Sequence, residues 1–230
     1  QLQTPVFVMS DLDLGMNTWM SKPFEYPTAA PVRGKVLTPE TLAKMGEWGR
    51  YKDVDGDAVA WRTLPLDGNP SYFARGSGHN EQAQYSERPD DFVRNLDRIG
   101  RKFETARNLV PRPEVTIDGQ ARIGVIAYGT SHWAVTESRD QLACEASLRT
   151  SYLRLTAYPF TADLDAFIDR HDRVYVIDQN RDAQMLGLMR LDLAVERLAK
   201  LRSVRHYNGL PIDARTITDE ILAQEGRGQS

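Results

Sequence analysis

The sequence predicts an α/β fold built on a mainly parallel sheet, preceded by an irregular segment. Three observations carry that expectation. The second half alternates short apolar runs with amphipathic stretches at crossover spacing. Pro111 and Pro113 separate this half from a helix whose apolar residues recur at steps of three and four. Before that helix, Gly49–Glu81 shows no sustained period yet gathers Arg, His, aromatic and Gly residues. A compact domain rarely carries so long an irregular stretch unless it binds something or links domains.

In the second half, Ile123–Tyr128, Thr150–Leu155 and Arg173–Asp178 read as buried strands. Helices are expected at Ser131–Ala146, Thr161–Arg170 and Arg181–Leu201. A last strand at Ser203–Tyr207 and a short helix at Asp213–Ala223 complete the alternation, and the GRGQS tail reads as frayed. Upstream, Pro89–Val110 is the clearest helix, with Asp90 and Asp91 in its first turn. Phe92, Leu96, Ile99, Phe103, Ala106 and Val110 form its apolar face. Arg94, Arg98, Arg101 and Lys102 lie opposite, on what reads as the solvated face. Thr38, Pro39 and Glu40 start a short helix running to about Trp48. The proline- and aromatic-rich run before it reads as a packed connector. Val6–Met9 reads as a buried strand ending in an acidic loop, where Ser10 and Asp11 stand either near a ligand or, more commonly, as caps. Such a strand pairs within this chain or with strands beyond it.

Composition bounds the function. The 230 residues are 41% hydrophobic and 27% charged, an ordinary globular mixture. With 29 Lys and Arg against 32 Asp and Glu, the formal charge of −3 gives no bulk case for nucleic acid or an anionic membrane. No apolar run reaches the roughly 18–20 residues of a membrane span. Cys144 is the single cysteine, so no internal disulfide or Cys-rich metal site is encoded, and a cytoplasmic protein is expected.

Motifs in the irregular stretch mostly fail. Asp53, Asp55 and Asp57 open like a calcium loop, but Gly56 stands fourth where the sixth is needed and Leu64 occupies the twelfth place. Gly76 and Gly78 give G-x-G with Glu81 where the third glycine belongs, so a turn is the better account. Arg62 and Arg75 survive, each beside aromatic residues, as candidate carboxylate receptors or as ion pairs. Gly129-Thr130-Ser131, entering a helix, suits either an anion or a tight turn.

Taken together, Ser10–Asn17, Arg50–Pro65, Tyr72–Glu81, Arg94–Arg107, Val125–Ser131 and Val174–Gln184 resemble, in collinear order, the alpha subunit of two-subunit 2-oxoacid:ferredoxin oxidoreductases, particularly the 2-oxoglutarate type. The resemblance covers the C-terminal part of such a subunit. It implies residues 1–20 as the last strand and loop of a thiamine-pyrimidine-binding domain and residues 21–113 as a connector with a substrate-side segment and a long helix. Residues 114–230 would be a transketolase C-terminal-like three-layer domain. The complete enzyme would oxidatively decarboxylate a 2-oxoacid on thiamine diphosphate with magnesium. Electrons would pass through a 4Fe-4S cluster to ferredoxin, and acyl-coenzyme A would be released. Those cofactors belong mainly to a beta subunit, with none bound by this chain alone. The partners implied are that beta subunit, the N-terminal part of the alpha subunit, and ferredoxin. Arg62 and Thr63 match the start of an Arg-x-x-Pro-Gly-Thr segment implicated in binding the substrate carboxylate, with Leu66 and Asp67 replacing Gly-Thr. Arg75 and His79 are weaker substrate-side candidates, Asn80 standing where the family commonly has Asp. A non-catalytic interaction module, or a pyruvate or branched-chain enzyme, is the alternative.

Overall fold

The computed structural model describes residues 1–64 and 70–227. In chain order the helices are α1 (Leu12–Met16), α2 (Pro39–Met45), α3 (Pro89–Ala106), α4 (Ser131–Ala146), α5 (Ala162–Asp169), α6 (Gln184–Asp192), α7 (Val195–Leu198) and α8 (Ala214–Gln224). The strands are β1 (Glu114–Thr116), β2 (Ile123–Tyr128), β3 (Thr150–Leu155), β4 (Arg173–Asp178) and β5 (Leu201–Arg205). Contacts divide the chain into two units, Gln1–Phe7 with Lys22–Leu109 and Val8–Ser21 with Val110–Ser230. Among the described residues no helix is long and apolar enough to cross a membrane.

The second unit is a three-layer α/β domain. Its sheet runs β1-β3-β2-β4-β5, with parallel pairing throughout except for β1 against β3. Alternation along the buried strands serves two cores. Val125, Tyr175 and Ile177 pack with Val135 and Leu142 of α4 and Ile217 and Ile221 of α8. Ile126, Val174 and Val176 face the other way, against Leu164, Phe167 and Ile168 of α5 and Leu186 and Met189 of α6. This mixed α/β domain matches the expected fold class, and the three central strands fall on the expected residues.

Three elements of this unit depart from expectation. The helix expected over Arg181–Leu201 is two, because Leu193 adopts an extended conformation between α6 and α7 (φ −91, ψ 149). The last strand begins at Leu201, two residues earlier than expected. β1 was not foreseen: three exposed residues at a sheet edge leave no apolar signature.

The first unit is held by its loops. α2 begins with a reciprocal capping box between Thr38 and Thr41, and Pro39 opens it, as the sequence indicates. α3 starts at Pro89 as expected but ends at Ala106, short of Val110, and all of its expected apolar face but Ala106 is turned outward. Phe92, Leu96, Ile99 and Phe103 are 62, 52, 40 and 48% exposed, whereas Arg98 is only 9% exposed. The docking face is a polar seam. Asp91 accepts from Ser86 Oγ at 2.6 Å, Arg98 Nη1 donates to Ala58 O at 3.3 Å, and Thr105 Oγ1 donates to Asp57 O at 2.7 Å. Loop carbonyls need donors, and the polar side of α3 supplies them.

Val6–Met9, expected as a buried strand, pairs with no strand among the described residues and is exposed. An extended apolar segment forms a ladder only where a neighbouring edge is offered.

Candidate functional site

The expected site residues lie in the first unit. Arg62 is fixed through its backbone, bridging to Val36: its N–H donates to Lys35 O at 3.0 Å and its carbonyl accepts from Leu37 N at 2.9 Å. Its guanidinium Nη2 donates to Arg33 O at 3.2 Å and has no carboxylate partner among the described residues. Thr63 is buried and its hydroxyl donates to Pro70 O at 2.7 Å. A cavity of about 250 Å³ opens beside it, lined by Thr63, Leu64, Ser71, Tyr72 and Ala74. Pro65, Leu66 and Asp67, where the sequence leaves the Arg-x-x-Pro-Gly-Thr pattern, lie outside the described residues.

Arg75 packs over the Phe73 ring at 5.5 Å and donates from Nε to Ala83 O at 3.2 Å. His79 stacks on Tyr51 with ring centroids 3.8 Å apart, and its Nδ1 donates to Asn80 O at 3.1 Å. Asn95 of α3 holds the His79 carbonyl at 2.7 Å. Among the described residues no hydrogen bond or ring contact joins Arg62, Arg75 and His79 to one another.

What the structure assembles instead, around the ring that His79 stacks on, is a group of cations. Arg50 lies over Tyr51 at 5.0 Å and over Tyr72 at 5.1 Å, and Arg98 reaches Tyr51 at 5.7 Å. The Nε atoms of Arg50 and Arg98 are both buried without a hydrogen-bond partner among the described residues. Burial, and then repulsion from Arg50, pulls the Arg98 guanidinium below its ordinary value. Lys102 is lowered likewise, by burial first and then by Arg98 and Arg50. Sequence reading assigns Arg98 and Lys102 to a solvated helix face. The pairing of Arg50 with residues about fifty positions away carries no local signal.

The failed calcium loop is an ion-pair cluster. Asp53, Asp55 and Asp57 offer oxygens within 4.8 Å of one another. Lys35 Nζ reaches Asp55 and Asp57 at 2.6 Å each. Burial alone would lower the Lys35 ammonium, but the two carboxylates hold it above its ordinary value. Asp53 turns inward, accepting from Gly56 N and Ala58 N at 3.0 and 3.1 Å and from Arg101 at 3.2 Å.

The second unit carries a separate crevice of about 600 Å³ at the carboxyl ends of β2, β4 and β5. Strand order reverses between β2 and β4, the place where open α/β sheets present ligand crevices. Asp11 settles both its own role and that of Gly129-Thr130-Ser131. One carboxylate oxygen caps α1 through Leu14 N at 2.9 Å, and the other accepts from Thr130 Oγ1 at 2.7 Å and Thr130 N at 3.3 Å. Of the two roles open to this stretch, both are seen: Gly129 makes a turn with φ of 59, and the anion at the start of α4 is the Asp11 side chain. Burial pushes the Asp11 carboxyl up, but its bonds from Leu14 and Thr130 hold it below the usual carboxylate range. Trp19 stacks on Trp133 at 5.7 Å and holds the other end of the same segment. Deeper in, Asp178 Oδ1 accepts from Tyr128 Oη, Asn180 Nδ2 and Met185 N, each at 3.1 Å.

No protein-family model matches this chain. Among solved structures it is similar to a 2-oxoglutarate:ferredoxin oxidoreductase from Magnetococcus marinus, determined with 2-oxoglutarate, coenzyme A and succinyl-CoA bound. The similarity has a TM-score of 0.67 at 22% identity, and covers 78% of this chain and 31% of that one. At that identity the likeness establishes the fold. The chain spans less than a third of the length of the solved chain it matches.

Proposed function

We propose that this chain is part of the alpha subunit of a thiamine diphosphate-dependent 2-oxoacid:ferredoxin oxidoreductase, with 2-oxoglutarate as the substrate and succinyl-CoA as the product. The observation that carries the reading is the shared fold over 78% of the chain with an enzyme of that name. The collinear motifs from Ser10 to Gln184 support it. In this reading the protein works in the cytoplasm, with ferredoxin as the electron acceptor.

The residues present do not fit the cofactors. A 4Fe-4S cluster takes four thiolates, and Cys144 is the single cysteine. The sequence carries no diphosphate–magnesium motif either. The resemblance places both groups mainly on the beta subunit, and in this reading this chain binds and orients the substrate.

What this chain contributes, in this reading, is a cation for the substrate. Arg62 is held by main-chain bonds on both sides and, among the described residues, engages only a carbonyl at its tip. A planar guanidinium so placed takes a carboxylate through two parallel N–H bonds and orients it. Charge-assisted bonds of this kind contribute about 1.5–3 kcal/mol, roughly a 10- to 100-fold effect. In the assembled enzyme, Arg62→Ala is expected to raise the KM for 2-oxoglutarate by at least about tenfold while the subunits still co-purify. Arg62→Lys, which keeps the charge but loses the fork, should recover only part of the loss. Unchanged kinetics in Arg62→Ala would remove Arg62 from the substrate site.

The exposed face of α3 supports a partner chain. Phe92, Val93, Leu96, Ile99 and Phe103 form a continuous apolar strip along a helix whose polar side is already engaged. We assign this strip to the contact with the beta subunit.

A further inference from the structure

We propose that Arg50 and Lys102, with Arg98 packed on the same Tyr51 ring as Arg50, form a seat for the carboxylate of a small molecule, which Gln3 occupies in this chain through its neutral side chain on Arg50 and its backbone carbonyl on Lys102. The proposal concerns the first unit alone and does not rest on the oxidoreductase reading.

The charges do not balance as they stand. Arg50, Arg98 and Lys102 repel one another, and Asp53, the carboxylate whose charge acts on Arg98, is already committed to Arg101 and two backbone N–H groups. Asp55 and Asp57 are taken by Lys35. Arg98 is nine-tenths buried, yet among the described residues it makes only one long hydrogen bond, to Ala58 O at 3.3 Å, and its Nε has no partner. Arg50 Nε is likewise buried and unpartnered. Buried cations without counter-charges are costly, and unsatisfied guanidinium donors add to the cost. Both burial and mutual repulsion lower Arg98 and Lys102, as a seat lacking its anion requires.

Gln3 shows where the anion goes. Its Oε1 accepts from Arg50 Nη2 at 2.8 Å and its backbone carbonyl from Lys102 Nζ at 3.5 Å. Its Nε2 is turned away, donating to Ala60 O at 2.6 Å. A neutral amide thus offers the cations an oxygen but no charge. The position is strained as well: Gln3 has φ of 50, in the left-handed region that side chains other than glycine seldom adopt. Gln1–Phe7 belongs to no helix or strand, so displacing Gln3 breaks no regular structure. The ligand class follows from the donors. Guanidinium groups suit planar carboxylates, and the Tyr51 and Tyr72 rings that Arg50 lies over hold its guanidinium in place for one.

The test uses the full chain, with glutarate as the probe and sodium chloride at matched ionic strength as the control. Glutarate at about ten times its Kd should raise the melting midpoint by about 3 °C over the chloride control. Gln3→Glu places a carboxylate on the seat, so it should raise the midpoint without ligand and abolish the glutarate response. Gln3→Ala empties the seat and should enlarge the response, and Arg98→Met should remove it. The proposal is overturned if glutarate does no more than chloride, or if Gln3→Glu melts no higher than wild type and still responds. Equal stabilisation by sulfate and glutarate, unaffected by Gln3→Glu, would mean an adventitious ion only and would equally overturn it.

Discussion

Gly124→Val is expected to unfold the sheet domain, with a cost on the order of 3 kcal/mol or more. Gly124 sits in β2, the strand paired on both sides by β3 and β4. A Cβ added there would stand 2.6 Å from Phe167 Cε1 and 2.9 Å from its Cζ, with His171 Nδ1 at 3.1 Å. Neither neighbour has room to yield. The Phe167 ring is buried among Ile126, Leu164 and Ile168, and His171 is buried and pinned through Nδ1 to Phe167 O at 2.7 Å. Close-packed interiors accept added carbons only by displacing whole elements, here α5 from the sheet. Urea denaturation followed by circular dichroism would report the loss, and Gly119→Ala, where nothing lies within 4 Å, should leave the midpoint nearly unchanged. Gly124→Ala combined with Phe167→Leu should regain part of what Gly124→Ala loses. A wild-type midpoint for Gly124→Val would contradict the packing described.

Leu96→Asp with Phe103→Asp is expected to abolish association with the beta subunit while leaving the fold of this chain intact. Both side chains are about half exposed, so neither charge is buried in the chain itself. At the centre of an apolar interface the same two carboxylates would be desolvated without partners, a cost of several kcal/mol. Co-purification together with circular dichroism separates the two effects. If the doubly substituted chain still co-purifies at wild-type yield, the α3 strip is not the contact.

The sheet domain was legible because its strands are continuous apolar runs between turns, and such runs have few other places to go. The break at Leu193 was hidden because the apolar pattern continues through it. α3 shows a different limit. Its period marks an apolar face at Phe92, Leu96, Ile99 and Phe103, but periodicity does not say which neighbour covers it. Here the loop carbonyls at Asp57 and Ala58 recruit the polar side instead. For the same reason the sequence placed Arg98 in water when it is buried beside Tyr51. Arg62, Thr63, Arg75 and His79 were chosen from local context. The contacts that give the region its chemistry, from Gln3 to Arg50 and Lys102, span long stretches of chain that no local motif reveals.

The most direct measurement of the central claim is 2-oxoacid-dependent ferredoxin reduction by the complex that co-purifies with this chain, assayed with coenzyme A across 2-oxoglutarate, pyruvate and branched 2-oxoacids. The account predicts turnover that requires the beta subunit, favours 2-oxoglutarate and yields succinyl-CoA, with none from this chain alone. Absence of ferredoxin reduction by the intact complex with every 2-oxoacid, or turnover by the isolated chain, would contradict it.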